Sequence, residues 1–190
     1  MCGICGKLYF NPRHKAERHI IEAMASVLKH RGPDDQGIYV DGPAGIGHQR
    51  LSIIDVSPAG HQPMSNEDGS IWIVFNGEIY NFEELRTELE AKGHIFTSRT
   101  DTETIVHLYE EKDTHCLESL RGMFAFAIWD SKKQRLFLAR DRVGKKPLVY
   151  AVTSEALIFG SEIKAILQDP SVPAEVDYEA LHHYLTYQYV

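Results

Sequence analysis

The chain has 190 residues, of which 43% are apolar, 10% aromatic and 25% charged; this suits one folded domain with a proper core and excludes a disordered chain. Its net charge of −7 argues against a nucleic-acid-binding protein, whose footprint is basic. No apolar run approaches the ~20 residues that span a bilayer, so no membrane association is expected.

The start, Met1-Cys2-Gly3-Ile4-Cys5-Gly6, has neither the basic opening nor the apolar stretch of an export signal. Three cysteines, Cys2, Cys5 and Cys116, cannot all pair within one chain. A reduced, cytoplasmic protein is expected.

Cys2 to Phe10 reads as a strand, broken by Asn11-Pro12. Ile20, Ile21, Met24, Val27 and Leu28 recur at helical spacing within Ala16 to His30, and Gly32-Pro33 stops that helix. Gly37 to Val40 and Gly45 to His48 predict two strands around Asp41-Gly42-Pro43. Ile71 to Phe75 predicts a short buried strand. Asn81-Phe82-Glu83-Glu84 predicts a helix cap with an acid at the third position, Leu85 and Leu89 the buried stripe and Gly93 the end. Thr104 to Lys112 predicts the next helix. Met123 to Asp130, Arg135 to Arg140, Pro147 to Val152 and Ala156 to Gly160 predict four successive strands, and Ser161 to Gln168 a short helix. The order is that of an α+β domain with antiparallel sheets, not a regular α/β alternation. Val176 to Val190 predicts a last helix with Leu181, Tyr184 and Leu185 as its apolar face and no cap at its end. It reads either as a connection to a further domain or as a helix docked on the core.

Cys2 carries the most chemistry. With Met1 removed, its thiol and a free α-amine share one carbon, and an amine with a pKa of about 7.7–8.0 can take the thiol's proton. Cys2-Gly3-Ile4-Cys5 also matches C-x-x-C, a redox or zinc pattern, but it opens a strand and lacks a second pair. The histidines form no His-Glu-x-x-His and no zinc-finger spacing, and His182-His183 needs no metal to explain it, so no metal site is expected. Asn76-Gly77-Glu78 supplies either two donors for an oxyanion or a turn at a strand end. Arg50 suits a carboxylate or snorkels from a strand end; Asp101 suits a cationic amine or caps a helix. Each has an ordinary structural role taken singly. Together they are the recognition set for an α-amino acid with a side-chain carbonyl.

Seven motifs, in order, resemble class II glutamine amidotransferase domains. They are Cys2-Gly3-Ile4, His30 to Asp34, Gly47 to Asp55, Asn76 to Asn81, Thr100 to Glu103, Gly122 to Asp130 and Arg140 to Leu148. In detail the chain is similar to the N-terminal half of glutamine-hydrolysing asparagine synthetases, over essentially its whole length. The resemblance implies one amidotransferase domain over residues 1–190, with about 170–190 beginning a connection to a C-terminal synthetase domain. It implies the N-terminal-nucleophile hydrolase fold, a four-layer αββα sandwich of two antiparallel sheets. It implies Cys2 as nucleophile and Asn76 and Gly77 as oxyanion donors. Arg50, Glu78 and Asp101 would hold L-glutamine, and Leu51, Ile53 and Ile54 would line its pocket. It implies no cofactor in this domain, with ATP and Mg²⁺ serving the synthetase domain, and leaves room for a homodimer. A catalytically silent docking module of the same fold is the alternative.

Overall fold

Strand alternation sorts the apolar side chains into three layers. The structure is a computed structural model and describes residues 1–190. One sheet has five strands in the order β2 (Asp35–Asp41), β3 (Ala44–Arg50), β1 (Gly3–Tyr9), β9 (Ala156–Gly160) and β8 (Val149–Val152). The other has four, β4 (Met64–Ser65), β5 (Ile71–Ile79), β6 (Gly122–Asp130) and β7 (Arg135–Arg140). Every pairing is antiparallel. Ile4, Ile46 and Phe159 of the first sheet meet Val74, Ala125 and Ala127 of the second to form the middle layer. The small alanines let the sheets approach closely.

The opposite faces carry the helices. Cys5 and Ile158 pack against Ile21 and Met24 of α1 (Arg18–Ser26) and Ala165 of α4 (Ile163–Ile166). Ile73, Phe75, Phe126 and Ile128 pack against Leu85 and Leu89 of α2 (Phe82–Ala91) and Ile105 and Tyr109 of α3 (Asp101–Lys112). Truncating a fully buried ring such as Phe126 to Ala would cost about 3–5 kcal/mol. The result is the expected αββα sandwich. His48 ties the sheets: fully buried on β3, its Nε2 donates to the Phe75 carbonyl at 3.0 Å.

Several predicted elements change on folding. α1 ends at Ser26, and tight turns carry the chain to Gly32, where a Cβ would sit 2.4 Å from the Gln49 carbonyl. β5 is nine residues long and includes Asn76-Gly77-Glu78, so these are strand residues and not a terminal turn; nine partners on β6 outweigh their turn preference. Asn81 does not cap α2. Its side chain donates to the Ser119 carbonyl and accepts from the Arg121 amide, both at 3.0 Å. β6 is an interior strand, paired with β5 on one side and β7 on the other.

The last helix, α5 (Tyr178–Tyr187), is capped at both ends, by the Asp177 side chain and by Gln188 in the left-handed region. None of its residues is buried, so it does not dock on the core. No helix is long and apolar enough to cross a membrane.

Candidate active site

Four elements converge at one end of the sandwich: the start of β1, the end of β3, the second half of β5 and the first turn of α3. They enclose a cavity of about 320 Å³. Cys2, Arg50, Leu51, Ile53, Ile54, Asn76, Gly77, Glu78 and Asp101 all line it, so every site residue expected from the sequence reaches one space. Sequence reasoning missed Gln62 and Lys146.

Cys2 lies just before β1, half-buried. Its Sγ sits 3.4 Å from the Leu51 amide, which donates to it, and 3.7 Å from the Leu51 carbonyl. Arg31 Nε donates to the Cys2 carbonyl at 2.9 Å, and Arg31 is itself anchored by Glu162 at 2.8 Å. Burial pushes the thiol's pKa up, against the Leu51 amide, the chain's terminal amine and the Arg50 charge, which pull it down. Cys5 faces the other way, its Sγ against the Gly47 and Ile21 carbonyls, and burial holds it protonated. A strand that sends these two thiols to opposite faces closes no C-x-x-C disulfide.

The open edge of β5 explains Asn76 and Gly77. The residues opposite β6 alternate between bonded and unbonded pairs. Phe124 gives its N–H to Asp141 (3.2 Å) and takes the Asp141 amide on its carbonyl (2.8 Å), so it bonds nothing on Gly77 opposite. The Gly77 N–H therefore points away from β6. Its neighbours on that edge are all occupied: Ile73 pairs with Met64, the Phe75 amide donates to Gln62 Oε1 (2.7 Å), and the Ile79 amide to Asp101 Oδ2 (3.0 Å). Gly77 is the gap, and it opens into the cavity. Its lack of a side chain serves β6, because a Cβ would meet the Met123 carbonyl at 2.4 Å. Beside it, the Asn76 side chain is only 1% exposed and its Nδ2 has no hydrogen-bond partner.

Two opposite charges face the same space without touching. Arg50, 6% exposed, donates to the Ser57 carbonyl at 3.2 Å and to the Asp55 carbonyl, and pairs with no carboxylate. Gly60 leaves room for its guanidinium, which an added Cβ would strike. Asp101, 4% exposed, pairs with no cation. Burial raises its pKa to about 6 against the pull of the Ile79 amide and its own helix amides, with Glu78 adding to the rise. Thr100 caps α3 by accepting from the Glu103 amide at 3.2 Å, which makes Asp101 a first-turn acid, not the cap. Gln62 closes the wall, its amide donating to Thr102 Oγ1 at 3.1 Å. Lys146, buried on the loop that Asp141 organises, reaches Met1 Sδ at 3.5 Å.

Two buried cations without a carboxylate partner, Arg50 and Lys146, an unpaired buried anion, a thiol and two free N–H donors in one cavity can hold a zwitterion and attack a carbonyl. Comparison with known proteins identifies the family. Residues 1–190 match the glutamine amidotransferase domain family. Asparagine synthetase [glutamine-hydrolyzing] 3 of Bacillus subtilis is 43% identical over 179 residues, covering 93% of this chain and 29% of that protein. Asparagine synthetase [glutamine-hydrolyzing] 1 of the same organism is 43% identical over 192 residues, covering 100% of this chain and 30% of that protein. The chain thus spans about a third or less of these curated relatives, at their N-terminal part. Among solved structures, the glutamine phosphoribosylpyrophosphate amidotransferase of B. subtilis superimposes with a TM-score of 0.73 at 25% identity, over 87% of this chain and 43% of that one.

Proposed function

The chain belongs to the family of glutamine amidotransferase domains, and from that premise we propose that its cavity hydrolyses L-glutamine to L-glutamate and ammonia. The carrying observation is the buried, unpartnered Asn76 amide beside the open Gly77 N–H. A buried donor left unsatisfied costs about 1–3 kcal/mol, and a fold keeps it where a ligand oxygen supplies the partner.

The α-carboxylate of glutamine meets the Arg50 guanidinium, and its α-ammonium meets Asp101 and Glu78. The side-chain amide then lies between Cys2 and the Asn76–Gly77 pair. Removal of Met1 frees the Cys2 amine, which takes the thiol proton as sulfur attacks the amide carbon. The C–O π bond becomes an oxyanion, held by Asn76 Nδ2 and Gly77 N–H. As the C–N bond breaks, the amine's proton passes to the leaving nitrogen and ammonia departs. Water adds to the thioester, giving glutamate and the free thiol. A silent docking module has no use for a cavity with these groups left open.

The relatives' names extend the reading. In the full-length protein we propose that a C-terminal synthetase domain, using ATP and Mg²⁺, takes the ammonia to amidate aspartate. The test of the hydrolytic step is glutamate release by protein shown by mass spectrometry to lack Met1. Cys2→Ala should release none while glutamine still raises its melting temperature. A comparable rate in that variant would overturn the mechanism.

A further inference from the structure

We propose that His94, His107, Glu110 and Glu67 form a binding site for one divalent transition-metal cation, Zn²⁺ by preference, that fastens the β4–β5 turn and the segment after α2 onto α3. The site stands apart from the glutamine cavity, and none of its four residues lines that space.

The two imidazoles turn Nδ1 toward one point, 3.2 Å apart. Glu110 Oε2 lies 2.8 Å from one Nδ1 and 3.6 Å from the other. Glu67 Oε1 closes the group at 4.0 Å from His107 Nδ1. Ligands about 2.0–2.1 Å from a tetrahedral Zn²⁺ stand about 3.3–3.4 Å from each other; the separations here fall on both sides of that value, and the ligand atoms of Glu67, His94 and His107 all lie within 4.8 Å of one another. Two nitrogens and two carboxylate oxygens neutralise a dication and suit a borderline-soft metal.

The outer contacts point the same way. Metal-bound imidazoles commonly give their other N–H to a carboxylate. His94 Nε2 lies 3.2 Å from Glu111 Oε1. His107 Nε2 faces Glu103 Oε1 at 4.0 Å and is buried without a hydrogen-bond partner. Asn66 Nδ2 donates to Glu110 Oε1 at 2.8 Å, leaving Oε2 for the ion. Hydrogen bonding alone sets two Nδ1 atoms face to face and leaves the His107 Nε2 orphaned. A metal uses both Nδ1 lone pairs and turns each Nε2–H toward an acid. Glu67, the most exposed of the four, gives the entry path. The ligands come from three separate segments, so no spacing motif announces them in the sequence.

The experiment titrates the metal-stripped chain with ZnCl₂ by calorimetry near neutral pH, in a Cys2→Ala background that removes the competing thiol. One equivalent should bind and raise the melting temperature. Glu67→Gln, at an exposed position, and His94→Asn, at a half-buried one, should fold and weaken binding at least tenfold. Glu111→Gln should weaken it about 10- to 100-fold, the usual loss for an outer-shell partner. Co²⁺ should give the absorption of a four-coordinate site that His94→Asn abolishes. Mg²⁺ and Ca²⁺, which seek all-oxygen shells, should not compete. No Zn²⁺ uptake, or uptake unchanged in both His94→Asn and Glu67→Gln, overturns the proposal.

Discussion

Lys7 with Asp169 and Arg50 with Asp101 are buried opposite charges arranged in opposite ways. On β1, Lys7 Nζ sits 2.7 Å from Asp169 Oδ2, and Ser171 occupies the other carboxylate oxygen. In the cavity, Arg50 and Asp101 are equally buried yet make no ion pair with each other or with any other residue. The first pair is closed and joins the first strand to the segment after α4. The second is open and is completed by a ligand carrying both charges. A closed pair serves the fold, and an open pair marks a site.

Breaking the closed pair should cost the most stability. Lys7→Met leaves Asp169 charged and alone in the interior, a loss of about 3–5 kcal/mol, read by chemical denaturation. Adding Asp169→Leu should recover most of it, because a well-packed apolar pair often replaces a buried ion pair without penalty. A loss under about 1 kcal/mol, as for exposed pairs, would erase the contrast between the two regions.

The cavity should respond in the reverse sense. Asn76→Ala removes an unsatisfied donor, so stability should hold or rise slightly. Its kcat should fall by about 10²–10³, the usual loss for one oxyanion donor, with KM little changed. Arg50→Lys keeps the charge but loses the planar fork. Its KM should rise roughly 10- to 100-fold, matching the loss of hydrogen bonds to a charged group, at nearly constant kcat. Steady-state kinetics on both variants checks this, and exchanged signatures would refute the assigned roles.

The charges of the cavity were legible in the sequence because their chemistry is local to each side chain. Arg50 at a strand end and Asp101 at a helix start each read as ordinary taken singly, and it is the motif order that brings them together. What was not legible depends on pairing. Asn76-Gly77 reads as a turn as readily as an oxyanion pair, because nothing in its neighbourhood reveals nine partners on a strand about 50 residues further on. Gln62 has no pattern at all; its role exists only through Phe75 and Thr102. The acid after Asn81 suggests a cap, but the Ser119 carbonyl and Arg121 amide take the Asn81 side chain first. The His94–His107 cluster is hidden for the same reason, since three segments meet there only after folding.

The open pair is tested most directly through pH. Burial holds the Asp101 pKa at about 6, above its ordinary value of 3.8. The folded protein therefore binds this proton more tightly than the unfolded chain. Its contribution favours the fold fully below the unfolded value and is lost as pH rises through about 6. At neutral pH the ionised Asp101 then costs the empty protein up to about 3 kcal/mol, by the usual conversion of two pKa units. The glutamine ammonium offsets that cost on binding, and only the carboxylate form can receive it. KM for glutamine should climb as pH falls below about 6, approaching tenfold per unit. Asp101→Asn should bind glutamine weakly at every pH, lose that slope, and unfold at higher denaturant near neutrality than the parent. A parent KM that stays flat through this range, or a variant that keeps the slope, would mean that Asp101 is not the ammonium's partner.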